Sequence, residues 1–368
     1  MAVLGLYLLA VAAFFEAASR LVLSRPALAD RLAANDDPSW RLRWIRRQGT
    51  QRRIYYEFDA WSATRGWTLK PGLRDVPFGE GRTLNSNAHG ARGRREYTYE
   101  KPPGATRIVV LGDSFTFGED VGDAETYAHR LEQSLPGTEV INLGVHGYGH
   151  DQMLVTLREE ALRYHPDVVL LGFVYDDMER NVLAFRDYAK PRFVMRDGAL
   201  LLRGSPVPPP EAMLAAEPWR SKFGDLLTML WLRYRWKSGR TPQEMKDVTR
   251  AILDAMKADI ESAGARPAFA YLPVFGEVTR TDPAMTARER FFFAHCRERG
   301  IQTMYLRPFF LEAMKRGVEL KAYGHWGPAE HAAAAEGMKS YLVEKGLVRG
   351  SAGGIEADPL HGQPAAVQ

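Results

Sequence analysis

The chain has 368 residues, 45% of them hydrophobic and 11% aromatic, enough apolar surface for one large domain or two modest ones. Its 49 basic and 45 acidic side chains leave a net charge of only +4, with no recognised nucleic-acid motif, which argues against a nucleic-acid partner. A single cysteine, Cys296, excludes an internal disulfide framework, and no His, Cys and carboxylate grouping has zinc spacing, so neither a metal nor another cofactor is expected.

In chain order, residues 1–24 come first. Ala2 to Phe15 carries no charge, and Ala17 to Ser19 extends the run close to the length that about 30 Å of hydrocarbon requires. A membrane anchor or uncleaved signal is expected. A cleaved signal peptide is the rival, although the positive n-region is missing and Glu16-Ala-Ala-Ser is an indifferent cleavage site. Arginines at 20, 25, 31, 41, 43, 46, 47, 52 and 53 would favour a cytoplasmic side by the positive-inside tendency. Residues 25–100 read as a basic linker and then an irregular lead-in, with Tyr55 to Tyr99 forming short strands and loops on a sheet edge.

From residue 101 to 348 the pattern alternates. Strands are predicted near Arg107, Glu139, Asp167, Pro267 and Gln302, and helices over Glu125–Leu135, Gln152–Tyr164, Pro242–Ser262, Thr286–Arg299 and Ala329–Glu344. This implies an α/β fold, a three-layer, doubly wound parallel sheet of about five strands, preceded by the N-terminal helix. The insertion 178–241, with Pro206 to Pro210 and the Trp-rich stretch Trp219 to Trp236, is expected to be irregular. A lid, a membrane-resting segment and plain packing all remain open for it. Residues 349–368, rich in Gly, Ala and Pro, are expected to be disordered.

Four segments carry chemistry. Arg107-Ile-Val-Val-Leu-Gly-Asp-Ser-Phe-Thr-Phe-Gly118 runs from a strand into Gly112-Asp113-Ser114, where a tight turn exposes a serine hydroxyl beside free N–H groups and a helix dipole. Val140-Ile-Asn-Leu-Gly-Val-His-Gly-Tyr-Gly149 brings three glycines to the end of the next strand. Asp167-Val-Val-Leu-Leu-Gly172, a strand apolar on both faces, is followed by Tyr175-Asp176-Asp177, and Gly324-His325-Trp326 opens the last helix. All four lie just past strand carboxyl ends, where open α/β sheets place ligands.

In order and spacing these segments resemble the SGNH, or GDSL-type, hydrolase family over roughly residues 107–346, and the stretch from Asn85 to Gly104 is similar to the lead-in of membrane-anchored bacterial members. The resemblance implies an SGNH-hydrolase-like, flavodoxin-like sheet and an esterase or O-acyltransferase acting on acylated small molecules or carbohydrate. It makes Ser114 the nucleophile, His325 the general base and the Gly147 N–H an oxyanion donor, with Asp113, Asp176 and Asp177 at the site. It also points to a membrane-anchored enzyme with a periplasmic or otherwise extracytoplasmic domain, against the arginine distribution. Two departures stand out. Asp176 replaces the family's oxyanion-donating Asn, so it serves only if protonated or if it holds the histidine. Ala322 and Tyr323 occupy the places of the usual acid before the histidine. The competing reading is a non-catalytic SGNH-like module that holds an acylated glycan or a partner protein.

Overall fold

The computed structural model describes residues 1–51, 56–79 and 81–348. The tail expected to be disordered, together with Arg52, Arg53 and Tyr55, lies outside the described residues. Five strands form the central sheet: β1 Thr106–Leu111, β2 Thr138–Asn142, β3 Val168–Phe173, β4 Arg266–Tyr271 and β5 Gln302–Tyr305. They are parallel throughout, in the order β2-β1-β3-β4-β5. The chain therefore leaves β1 outward to β2, then returns past β1 to β3. That reversal opens a crevice at the carboxyl ends of β1 and β3, the switch point at which doubly wound sheets bind ligands.

Strand side chains alternate between two cores, because successive Cβ atoms point to opposite faces. Val109, Leu111, Ile141, Val169, Leu171 and Phe269 meet α3 (His150–Glu159), α5 (Arg240–Ser262) and α6 (Ala287–Glu298). Ile108, Val110, Val140, Leu170, Ala268 and Met304 face α2 (Tyr127–Ser134), α7 (Arg307–Lys315) and α8 (Pro328–Glu344). Both faces are covered, which is why these strands read as unbroken apolar runs rather than as alternation. Cys296 lies wholly buried in the first core, where burial pushes its thiol up to about 12.

Three parts differ from expectation. The insertion is largely regular: it holds a hairpin, Arg192–Arg196 with Ala199–Arg203, and a 16-residue helix, α4 (Lys222–Lys237). Ser221 caps that helix through Gly224 N–H, a start signal that the run of prolines before it obscures. Helix α7 was not expected at all; Pro308 sits in its first turn, where proline is tolerated. The lead-in forms the expected short strands as two small ribbons, Asp59–Ser62 with Gly66–Leu69 and Val76–Pro77 with Thr83–Leu84, and departs from expectation only in its position. It reaches the carboxyl end of the sheet, so that Tyr56, Phe58 and Phe78 wall the crevice.

Among the described residues one helix, α1 (Ala2–Ser24), is long and apolar enough to cross a membrane, and 6% of its most apolar window is buried.

Candidate active site

At the end of β1 the chain turns through Gly112, where a Cβ would fall 1.9 Å from Thr116 Oγ1, so only glycine fits. Asp113 then caps a single turn, Ser114–Phe117, by accepting from Phe115 N–H at 3.0 Å. The expected dipole is weak here, since four residues end at Gly118 and align few peptide units. What remains is local: no acceptor among the described residues takes the N–H of Ser114. Gly147, at the end of the β2 loop, adopts φ +72°, and a Cβ there would meet Asp187 Oδ2 at 2.6 Å. Its N–H is also without a partner among the described residues.

His325 arrives from the other end of the chain. Its neighbour Trp326 is buried and donates Nε1–H to Pro273 O at 3.0 Å, while buried Glu330 accepts from Gly327 N–H at 2.7 Å and from Lys321 N–H. These bonds fix the loop, and the imidazole packs against Phe115 with ring centroids 5.0 Å apart. Nε2 then lies 2.9 Å from Ser114 Oγ. For Nε2 to accept the serine proton, the ring proton must sit on Nδ1. Among the described residues nothing hydrogen-bonds Nδ1, so serine and histidine stand as a pair without an orienting acid. The nearest carboxylate, Glu119 Oε2, is 3.6 Å from Nε2 instead.

The three aspartates are placed otherwise than expected. Asp176 is turned away, its carboxylate paired with Arg288 at 3.0 Å, and it touches neither His325 nor the crevice. Asp113 and Asp177 are fully buried and do not line the crevice either. They hold Arg180, whose Nη1 lies 3.4 Å from Asp113 Oδ2, 2.6 Å from Asp177 Oδ1 and 2.8 Å from Tyr148 O. Burial, reinforced by the neighbouring Asp113, pushes the Asp177 carboxyl well above the usual range despite Arg180. Ser114 Oγ meets the same Asp113 oxygen at 3.3 Å, so the serine hydroxyl and the guanidinium converge on one atom. The remaining Arg180 nitrogens have no partner among the described residues, and the side chain lines the crevice. Arg180 escaped the sequence reading; its one signal was its position three residues after Asp177, an ion-pair spacing within a helical turn.

The crevice, about 480 Å³, is walled by Tyr56, Phe58 and Phe78 and bordered by Arg82, Glu119, His146 and Gly147 around Ser114 and His325. A larger cleft of about 880 Å³ beside Arg95 and His129 contains neither Ser114 nor His325, so that pair belongs to the smaller one. His150 and His331 are buried and inert, each lowered to about 3 by burial.

His146 is different. Its Nε2 pairs with Asp59 Oδ1 at 2.7 Å, and Asp59 Oδ2 accepts from Tyr188 at 2.7 Å. Burial opposes charge on the ring, but the Asp59 carboxylate outweighs it and raises the imidazole to about 9. The folded value lies above the ordinary one near 6.5, so the stabilisation is complete below that pH and is lost as pH rises through about 9. Thermal melting from pH 7 to pH 10 should therefore cost the native protein roughly 1–3 kcal/mol more than a His146→Gln variant. Parallel pH profiles would refute the pair.

A model of the GDSL-like lipase/acylhydrolase family matches residues 110–300. Similar solved structures include a member of the lipolytic protein G-D-S-L family from Veillonella parvula DSM 2008, at 14% identity over 65% of this chain and 97% of that one, with a TM-score of 0.38. Another is Axe2, an acetylxylan esterase from Geobacillus stearothermophilus, at 15% identity over 65% and 95% of the two chains, TM-score 0.40. A third is LAE5, an alpha/beta hydrolase enzyme from the metagenome of Lake Arreo, Spain, at 14% identity over 66% and 96%, TM-score 0.40. No curated protein matches the chain.

Proposed function

Because the chain belongs to the GDSL-like lipase/acylhydrolase family, we propose that it is a membrane-anchored serine esterase or O-acyltransferase acting on acyl esters, O-acetyl esters of cell-envelope carbohydrate in particular, outside the cytoplasm. Residues 1–24 serve as anchor, 25–100 as a lead-in that completes the site, and 101–348 as the catalytic domain. The 2.9 Å contact between Ser114 Oγ and His325 Nε2, at the switch point of the sheet, carries this reading. A binding module has no use for a hydroxyl aimed at an imidazole.

The reaction follows from the groups present. Ser114 Oγ attacks the acyl carbonyl carbon while its proton passes to His325 Nε2, giving a tetrahedral oxyanion and an imidazolium. The free N–H groups of Ser114 and Gly147 receive the oxyanion, and Arg180 supplies the positive charge that an Asp in place of the family's Asn cannot. Glu119, 3.6 Å from Nε2, offsets the imidazolium charge. Collapse breaks the bond to the leaving oxygen, which takes the proton from His325 and departs as an alcohol. Water or a sugar hydroxyl then attacks the acyl-serine by the reverse sequence, which yields hydrolysis or transfer. The rings of Tyr56, Phe58 and Phe78 offer an apolar wall suited to the C–H face of a sugar.

A fluorophosphonate probe tests the assignment, since it labels only an activated serine. The intact protein should label once, at Ser114, and His325→Ala should label at least about a hundredfold more slowly. An unlabelled but folded native protein would overturn the proposal.

A further inference from the structure

Helix α1 is not a free-standing leader. Its first part, residues 2–15, projects from the body with nearly every side chain exposed, but Ser19 and Leu23 are 3% exposed. The joint is Glu16. Its carboxylate accepts from the N–H groups of Lys222 and Phe223, each at 3.0 Å, and from Ser221 Oγ at 2.8 Å, closing the amino-terminal end of α4. Arg20 pairs with Glu16 at 2.8 Å and donates to the carbonyls of Pro218 and Arg220. Phe15 stacks on Phe223 with centroids 5.2 Å apart. A segment meant for removal would not supply the cap of a helix two hundred residues away.

Helix α4 is amphipathic in an unusual sense. Asp225 and Met229 are buried, whereas Leu227, Leu230, Trp231 and Tyr234, spaced i, i+3, i+4 and i+7, are all about half exposed. Trp219, just before the helix, is 87% exposed. This apolar face begins where Phe223 meets Phe15, so it continues the apolar surface of α1. We infer that α1 and α4 form a two-part membrane foot, in which the amino-terminal turns of α4, running alongside residues 15–23 of α1, dip into the interfacial layer of a phospholipid bilayer that α1 crosses.

Length supports the arrangement. The projecting part of α1, residues 2–15, is 14 residues long, or about 21 Å at 1.5 Å per residue. It falls about 9 Å short of a hydrocarbon core near 30 Å. Sinking the joint and the first turns of α4 by about 9 Å, within the 5–10 Å depth of interfacial helices, closes that gap and leaves Trp231 near the boundary. Tryptophan and tyrosine are the side chains that favour this depth, having an apolar ring and a polar edge. A second protein as the occupant would leave α1 too short to span.

The inference rests on the anchor proposed above, and the test separates the two. The full chain is reconstituted in phosphatidylcholine–phosphatidylglycerol vesicles whose acyl chains are brominated near the headgroup, and tryptophan quenching is measured. The double variant Trp219→Phe, Trp231→Phe should lose more than half of the quenching, whereas Trp61→Phe, on the ribbon beside the crevice, should keep it. Equal quenching in both variants, with protein still floating with the vesicles, overturns the foot and leaves the anchor standing. Protein that does not float with the vesicles at all overturns both. Melting of each variant in detergent verifies that the fold is intact, and Phe at these exposed positions preserves ring packing.

Discussion

Replacing Ser114 by Ala is expected to lower kcat/KM for a short-chain acyl ester by roughly 10⁴-fold or more, and His325→Ala to lower it comparably. The two act as one unit: without the hydroxyl there is no nucleophile, and without Nε2 there is no acceptor for its proton at 2.9 Å. A ten-thousandfold loss corresponds to about 5.5 kcal/mol of transition-state stabilisation. The double variant should therefore be no slower than either single one, because the second deletion removes something already useless. Neither change should unfold the protein. Among the described residues Ser114 Oγ hydrogen-bonds Asp113 and His325 alone, and the His325 ring packs against Phe115. Unchanged turnover in both single variants would dispose of the catalytic pair.

Arg180→Met is expected to act on stability and turnover together. The guanidinium faces two fully buried carboxylates, Asp113 and Asp177, and removing it leaves at least one uncompensated charge, at a cost of about 3–5 kcal/mol. Protonation of Asp177, already favoured by burial, places the expected loss at the lower end. In the folded fraction kcat should fall by about 10²–10³, the scale for losing one oxyanion-stabilising group, with little change in KM. Arg180→Lys keeps a charge but not the fork that spans both aspartates and the crevice, so it should recover stability more than turnover. A variant that loses stability but retains native kcat would reduce Arg180 to a structural role.

Much of the scaffold was readable because it depends on short-range regularities. Continuous apolar runs at Arg107, Asp167 and Pro267, alternating with helical periods, are enough to imply a parallel sheet covered on both faces, since no other arrangement buries them. Misreadings fell where local signals compete. Prolines at 206 to 210 mask the helix Lys222–Lys237, and the segment after Ser114 is a single turn whose sequence promises a longer helix with a useful dipole.

Order along the chain and the resemblance to SGNH hydrolases pointed to Ser114, Gly147 and His325, and the folded chain brings the three to one crevice. What order and resemblance could not determine was which charges face one another. Asp176 and Asp177 are adjacent, yet one pairs with Arg288 at the surface and the other lies buried against Arg180, a difference of side-chain direction set by the turn that follows β3. Likewise Asp59 reaches His146 and Glu16 reaches Phe223 across separations of 87 and 207 residues. Electrostatic pairing between screened charges falls off within about 10 Å and is indifferent to chain distance, so only the folded backbone decides it.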